Sequence, residues 1–223
     1  MYPFDTERVV IEIVSAIICF ALAKFMINPY KLTREGRYLG LPLGFAFLGI
    51  SYAISALVYS PLTISAQFLW LPLLARTFAF VFLATTYIFS NVNSKKGQLL
   101  GEIFASLLVI ALTSLLLLEF VAPKFAFEGY MKANVYIRIF NVVCLSYVAI
   151  HTLRSHIRNP DPKTICIPFG FIFFAISQYS LISWYVDSSF SAFVGSFIAR
   201  FIGLGIFLFV ALRTFYVQDK EGW

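Results

Sequence analysis

Charge is scarce in this chain, where Asp, Glu, Lys and Arg together supply 13% of 223 residues. A soluble domain carries roughly 25%, so an ordinary water-facing surface is excluded. Cysteine is scarce too. Cys19, Cys144 and Cys166 stand inside apolar stretches without paired spacing, which excludes a disulfide framework or a zinc site and leaves them as small apolar residues. The chain has no GxSxG, no HExxH and no Walker loop, and its acidic residues at depth lie on separate segments rather than as a catalytic pair. An enzyme is therefore the less favoured reading, with lipid chemistry left open; no metal and no cofactor are expected. Lys and Arg exceed Asp and Glu by 17 to 11, but they are spread over loops instead of one docking face, which argues against nucleic acid as a partner.

What is abundant is apolar surface: 60% of residues are hydrophobic, 26 are Phe and 12 are Tyr, and the mean hydropathy is +0.85. A single water-soluble core of this length could not hide that much, so the solvent must be lipid. Spanning a hydrocarbon core of about 30 Å takes about 20 apolar residues in a helix. Seven segments qualify: residues 9–26, 39–59, 64–89, 99–121, 131–151, 164–186 and 191–216. Their apolar runs are continuous rather than alternating, which indicates helices and not barrel strands. The expected fold is all-α, a single membrane domain over residues 1–223 integral to the cell membrane, with lipids as its constant partners.

Basic residues set the direction. Lys24, Lys31, Arg34, Arg37, Lys95, Lys96, Arg154, Arg158, Lys163, Arg213 and Lys220 fall on one side, against Arg8, Lys124 and Lys132 on the other. By the positive-inside rule the N-terminus is outside and the C-terminus cytoplasmic. Asp5 and Glu7 precede the first apolar run where a signal peptide would carry basic residues, so that span is expected to stay.

The chain also matches itself. At an offset of 126 the second span falls on the sixth, pairing Pro42 with Pro168, Gly44 with Gly170, Ser51 with Ser177 and Tyr59 with Tyr185. The same offset sets Glu12 opposite Arg138, and an offset of 124 sets Ala75 and Arg76 on Ala199 and Arg200. The organisation expected is a three-helix repeat at 9–89, a connecting helix at 99–121 and a second repeat at 131–216. Both repeats start outside, so they are parallel and related by an axis along the membrane normal. In this layout the chain resembles the three-plus-one-plus-three families: SWEET and PQ-loop transporters, KDEL receptors, TRIC channels and, more distantly, microbial rhodopsins. The resemblance is one of architecture. There is no Pro-Gln dipeptide, no glycine-rich TRIC signature, and no lysine between Ser191 and Tyr216 to hold retinal.

Ionisable residues at membrane depth are costly and mark function by default. Arg76 and Arg200 are expected near the midplane, with Arg138, Glu12 and Glu119 in the outer half. Helical spacing puts Ser196, Arg200 and Gly203 on one face, Asn134, Arg138 and Asn141 on another, and Glu12, Ser15 and Cys19 on a third. In span two, Gly40, Gly44, Ser51, Ser55 and Tyr59 form a stripe suited to close helix approach. Three arginines against two glutamates leave one positive charge unmatched, a place for an anionic ligand held in a guanidinium fork. Arg76, Arg200, Arg138, Glu12, Asn141 and Ser196 are the candidate ligand-binding residues. His151 and His156 lie about 140° apart on one helix, which fits interfacial residues near anionic headgroups rather than haem ligands.

The leading reading is a transporter or channel for a small, anionic solute, with Pro42, Pro168, Gly44 and Gly170 allowing helices to bend near the cytoplasmic end. A seven-helix ligand or lipid sensor that signals through a cytoplasmic partner fits as well. So does a structural subunit, using its Phe-rich face to meet a membrane-complex partner or a second copy.

Overall fold

The computed structural model describes residues 5–33, 40–60, 70–89, 103, 106–111, 113–114, 130–158 and 165–215. The helices are α1 (Asp5–Thr33), α2 (Gly40–Tyr59), α3 (Trp70–Phe89), α4 (residues 106–111), α5 (Tyr130–Arg158), α6 (Ile167–Asp187) and α7 (Phe190–Phe215), and no strand occurs among the described residues. Six of them, α1, α2, α3, α5, α6 and α7, are long and apolar enough to cross a membrane, which makes this an all-helical, multi-pass membrane protein. The fourth expected span, 99–121, lies largely outside the described residues; the part that is described is helical, and where it is most apolar, at Leu107 and Ile110, it is exposed.

Two helices outrun their apolar stretches. Helix α1 begins at Asp5, four residues before the apolar run, and continues to Thr33. An acidic N-terminal turn complements the helix dipole, as the basic last turn of α5, with His156 and Arg158, does at the opposite pole. Glu12 therefore stands two turns into α1 rather than one.

Pro168 occupies the first turn of α6, where a proline has no intrahelical acceptor to lose and so does not bend the helix; Pro42 is near the start of the described part of α2. The neighbouring glycines serve close packing. A Cβ on Gly44 would meet Leu83 at 2.7 Å, and one on Gly170 would meet Phe207 at 2.7 Å. Between α6 and α7 the chain turns within two residues: Ser188 adopts φ 50° and donates its N–H to Trp184 O at 2.9 Å.

Neighbouring helices close a ring in the order α1, α2, α3, α5, α6, α7 and back to α1. Its outside is apolar. Ile17, Tyr136, Val143, Ile157, Tyr179, Ile198 and Phe209 are all exposed, the surface expected of a protein dissolved in lipid. Its inside has two zones. One is an apolar layer of Leu22, Phe45, Leu48, Phe80, Leu83, Leu145, Val148, Phe171, Phe174, Leu204 and Phe207. The Phe207 ring is its hub, with centroids of Phe45, Phe171 and Phe174 at 5.3, 4.8 and 5.5 Å. The other zone, toward the N-terminal ends of α1, α3, α5 and α7, buries Glu12, Ser15, Ser51, Ser55, Arg76, Asn134, Arg138, Asn141, Ser177, Gln178, Ser196 and Arg200.

Candidate functional site

The polar zone is built by one register choice repeated on each helix. On α5, Asn134, Arg138 and Asn141 share the inward face with Leu145 and Val148, so the same stripe supplies both zones as it descends. Helix α1 does this with Glu12 and Ser15 above Cys19 and Leu22, and α7 with Ser196 and Arg200 above Leu204 and Phe207.

Glu12 is the centre. Its Oε2 lies 2.9 Å from Arg200 Nη1 and 3.9 Å from Arg76 Nη2, with all three side chains buried. The 2.9 Å contact makes Arg200 the closer partner of the two, a buried ion pair. The Tyr52 ring joins the same group. Its centroid is 4.8 Å from the Arg76 guanidinium carbon and 4.6 Å from that of Arg200, within cation–π range of both. Since α3 and α7 are not neighbours in the ring, Tyr52 and Glu12 bring together two arginines that approach from different sides.

Arg138 is held differently. Its Nε donates to Asn134 Oδ1 and its Nη1 to Gln178 Oε1 at 3.2 Å, and its guanidinium carbon is 5.3 Å from the Tyr185 ring. Both hydrogen-bond partners are neutral. Among the described residues no carboxylate pairs with Arg138, and Glu119, the partner expected from charge counting, lies outside them.

Several buried polar atoms have no partner: Arg76 Nε, Arg200 Nε, Asn134 Nδ2, Asn141 Nδ2 and Oδ1, and Ser177 Oγ. An unpaired buried polar group costs about 1–3 kcal/mol, so this many in one layer needs an explanation beyond packing. Three other hydroxyls are spent on backbone. Ser15 donates to Ile11 O at 2.8 Å, Ser51 to Pro72 O at 2.7 Å and Ser196 to Phe193 O at 2.7 Å. Ser196 lines the site with its donor already used.

Outside this layer, Arg8 sits among aromatic rings toward the N-terminal end of α1. Its guanidinium carbon is 3.4 Å from the Tyr59 ring centroid, with Phe193 at 5.6 Å and Trp184 at 5.9 Å. Arg8 and Glu12 are four residues apart on α1 and so share a face, one turn from each other.

No group of three metal-binding side chains occurs among the described residues. The three cysteines are free, and His151 packs between Tyr87 and Tyr147 at 5.8 and 6.0 Å. What the layer offers is fixed positive charge with unspent N–H and O–H donors. Arginine keeps its proton, so the layer can hold an anion but not shuttle protons through these groups. No family model, curated protein or solved structure matches the chain.

Of the residues marked out by sequence, Glu12, Arg76 and Arg200 meet directly, while Arg138, Asn141 and Ser196 are buried in the same layer. Tyr52 and Gln178 were not marked out. Each is adjacent to a matched serine, Ser51 or Ser177, and they occupy equivalent positions at the 126 offset, but Tyr and Gln differ in kind, so the offset does not single them out.

Proposed function

We propose that this protein is a transporter or channel of the cell membrane that carries small anions past the arginine layer, with its N-terminus outside and its C-terminus cytoplasmic. One observation carries this reading: among the described residues, three buried guanidiniums stand against a single buried carboxylate, which pairs with two of them.

Two further features support a path with the layer between closures. In the proposed orientation the aromatic layer around Phe207 lies on the cytoplasmic side and the Arg8 cage with Tyr59, Phe193 and Trp184 on the outer side. A two-repeat organisation is favoured by the ring order, which a half-turn maps onto itself by carrying α1, α2 and α3 onto α5, α6 and α7. It is favoured again by the recurrence of the Gly44–Leu83 contact as Gly170–Phe207 at the same offsets. Parallel repeats generally hold their site at the repeat interface near mid-membrane.

The test is anion flux in proteoliposomes, using chloride, acetate and phosphate with wild type and Arg200→Gln. Flux in the wild type that falls in a folded Arg200→Gln supports transport. No flux of any anion overturns it, and saturable binding without flux would make the protein a receptor.

A further inference from the structure

We infer that the polar layer seats one small carboxylate between Arg76 and Arg138, as the counterpart of the Glu12 side chain. The inference rests on the two-repeat reading above. A half-turn that carries α1 onto α5 carries α7 onto α3, and α3 packs on α5 as α7 packs on α1. Glu12 on α1 meets Arg200 on α7 at 2.9 Å. Its equivalent contact would join position 138 to Arg76, but position 138 is arginine. One half of the layer brings its own carboxylate; the other half presents two cations where the carboxylate would be.

The neutral side chains show the same asymmetry. Ser15 and Ser51 donate to Ile11 O and Pro72 O. Their equivalents at the 126 offset, Asn141 and Ser177, are buried to 0% and 1% exposure with no partner, and Asn134 Nδ2 is unpartnered as well. These three residues lie on α5 and α6, beside Arg138, and Arg76 Nε adds an unspent donor from α3. Unpaired donors on three helices of one buried layer suit an acceptor with two oxygens better than a single spherical halide. Gln178 and Asn134 meanwhile hold the Arg138 guanidinium in place through Nη1 and Nε. The ligand class that fits is a small monocarboxylate, for which a guanidinium provides planar, charge-assisted hydrogen bonds.

The experiment is a melting series on the purified full chain in detergent and a zwitterionic buffer, titrated with acetate, chloride, sulfate or phosphate. Acetate is expected to raise the melting temperature saturably, as a ligand that binds only the folded state must, with chloride weaker at every concentration. Arg138→Gln should weaken the acetate dependence about tenfold or more, the loss of one charged hydrogen-bonding partner. Arg138→Glu supplies the carboxylate from the chain itself. It should melt above Arg138→Gln in acetate-free buffer and no longer respond to acetate. Should that variant fail to fold, Asn141→Leu carries the test, since it leaves every ion pair intact and should still lose the acetate response.

A wild type indifferent to acetate overturns the inference, as does chloride acting equally well. A Glu119→Gln variant that melts as low as Arg138→Gln, in a protein indifferent to anions, would identify Glu119 as the missing partner and also overturn it. Failure here is separable from failure of the transport reading. Anion flux without an acetate effect removes this site alone, whereas an acetate effect without flux keeps the site and removes transport.

Discussion

Glu12→Gln removes the carboxylate that two buried guanidiniums share, at 2.9 and 3.9 Å. At an effective dielectric constant of about 20, those separations correspond to gross attractions of about 6 and about 4 kcal/mol. Desolvation offsets most of the gain, but that cost has already been met in the folded protein, and removing one partner strands the other. The expected loss is therefore about 3–5 kcal/mol of stability. Thermal and chemical unfolding in detergent would read it, with Arg200→Gln, Arg76→Gln and the two double variants completing the cycles. Coupling of Glu12 to Arg200 should exceed its coupling to Arg76, and each should fall in the range of about 0.5–3 kcal/mol typical of contacting groups. Glu12→Gln combined with Arg200→Gln should recover part of the single-variant loss. Because the substitution leaves three arginines with no described carboxylate among them, Glu12→Gln should also depend more steeply on added anions than wild type. A Glu12→Gln variant within about 0.5 kcal/mol of wild type, or a larger coupling to Arg76 than to Arg200, would refute the reasoning.

Gly170→Leu should fail to fold or lose several kcal/mol, because even a Cβ meets Phe207 at 2.7 Å; Gly205→Ala, where a Cβ meets nothing within 4 Å, should melt like wild type. Phe207→Ala removes the ring on which three others converge, so it should lose about 3–5 kcal/mol and, if the layer is the cytoplasmic closure, leak anions in proteoliposomes where wild type shows regulated or slow flux. Cysteines introduced at Ser94 and Ser188 should label from opposite sides of intact cells, with Ser188→Cys reached from outside; the reverse pattern would invert the orientation.

Hydropathy revealed the membrane class and most of the helices because lipid leaves the backbone no alternative to internal hydrogen bonding. It set the start of α1 four residues late for a related reason. Apolar runs end where the hydrocarbon ends, but a helix continues as long as its backbone bonds do, so α1 opens at Asp5 and Glu12 and Arg200 meet at one level despite their different distances from the ends of their apolar runs. The buried arginines were legible as charges that lipid would not tolerate outside the bundle. Tyr52 was not, since a tyrosine in a transmembrane stripe is indistinguishable by composition from an apolar ring; its role depends on two guanidiniums brought from α3 and α7. For Pro168 the boundary decides: within a helix it would bend it, and in the first turn of α6 it begins it. The cage of Arg8 needed tertiary information, because Tyr59, Trp184 and Phe193 come from three helices.

The most direct test of an anion-binding arginine layer is equilibrium dialysis of radiolabelled acetate against the purified protein. The account predicts saturable binding that approaches one acetate per chain, displaced by unlabelled acetate and absent from Arg138→Glu. Wild-type protein that retains no more acetate than Arg138→Glu across the titration would contradict it and leave the buried arginines as scaffold.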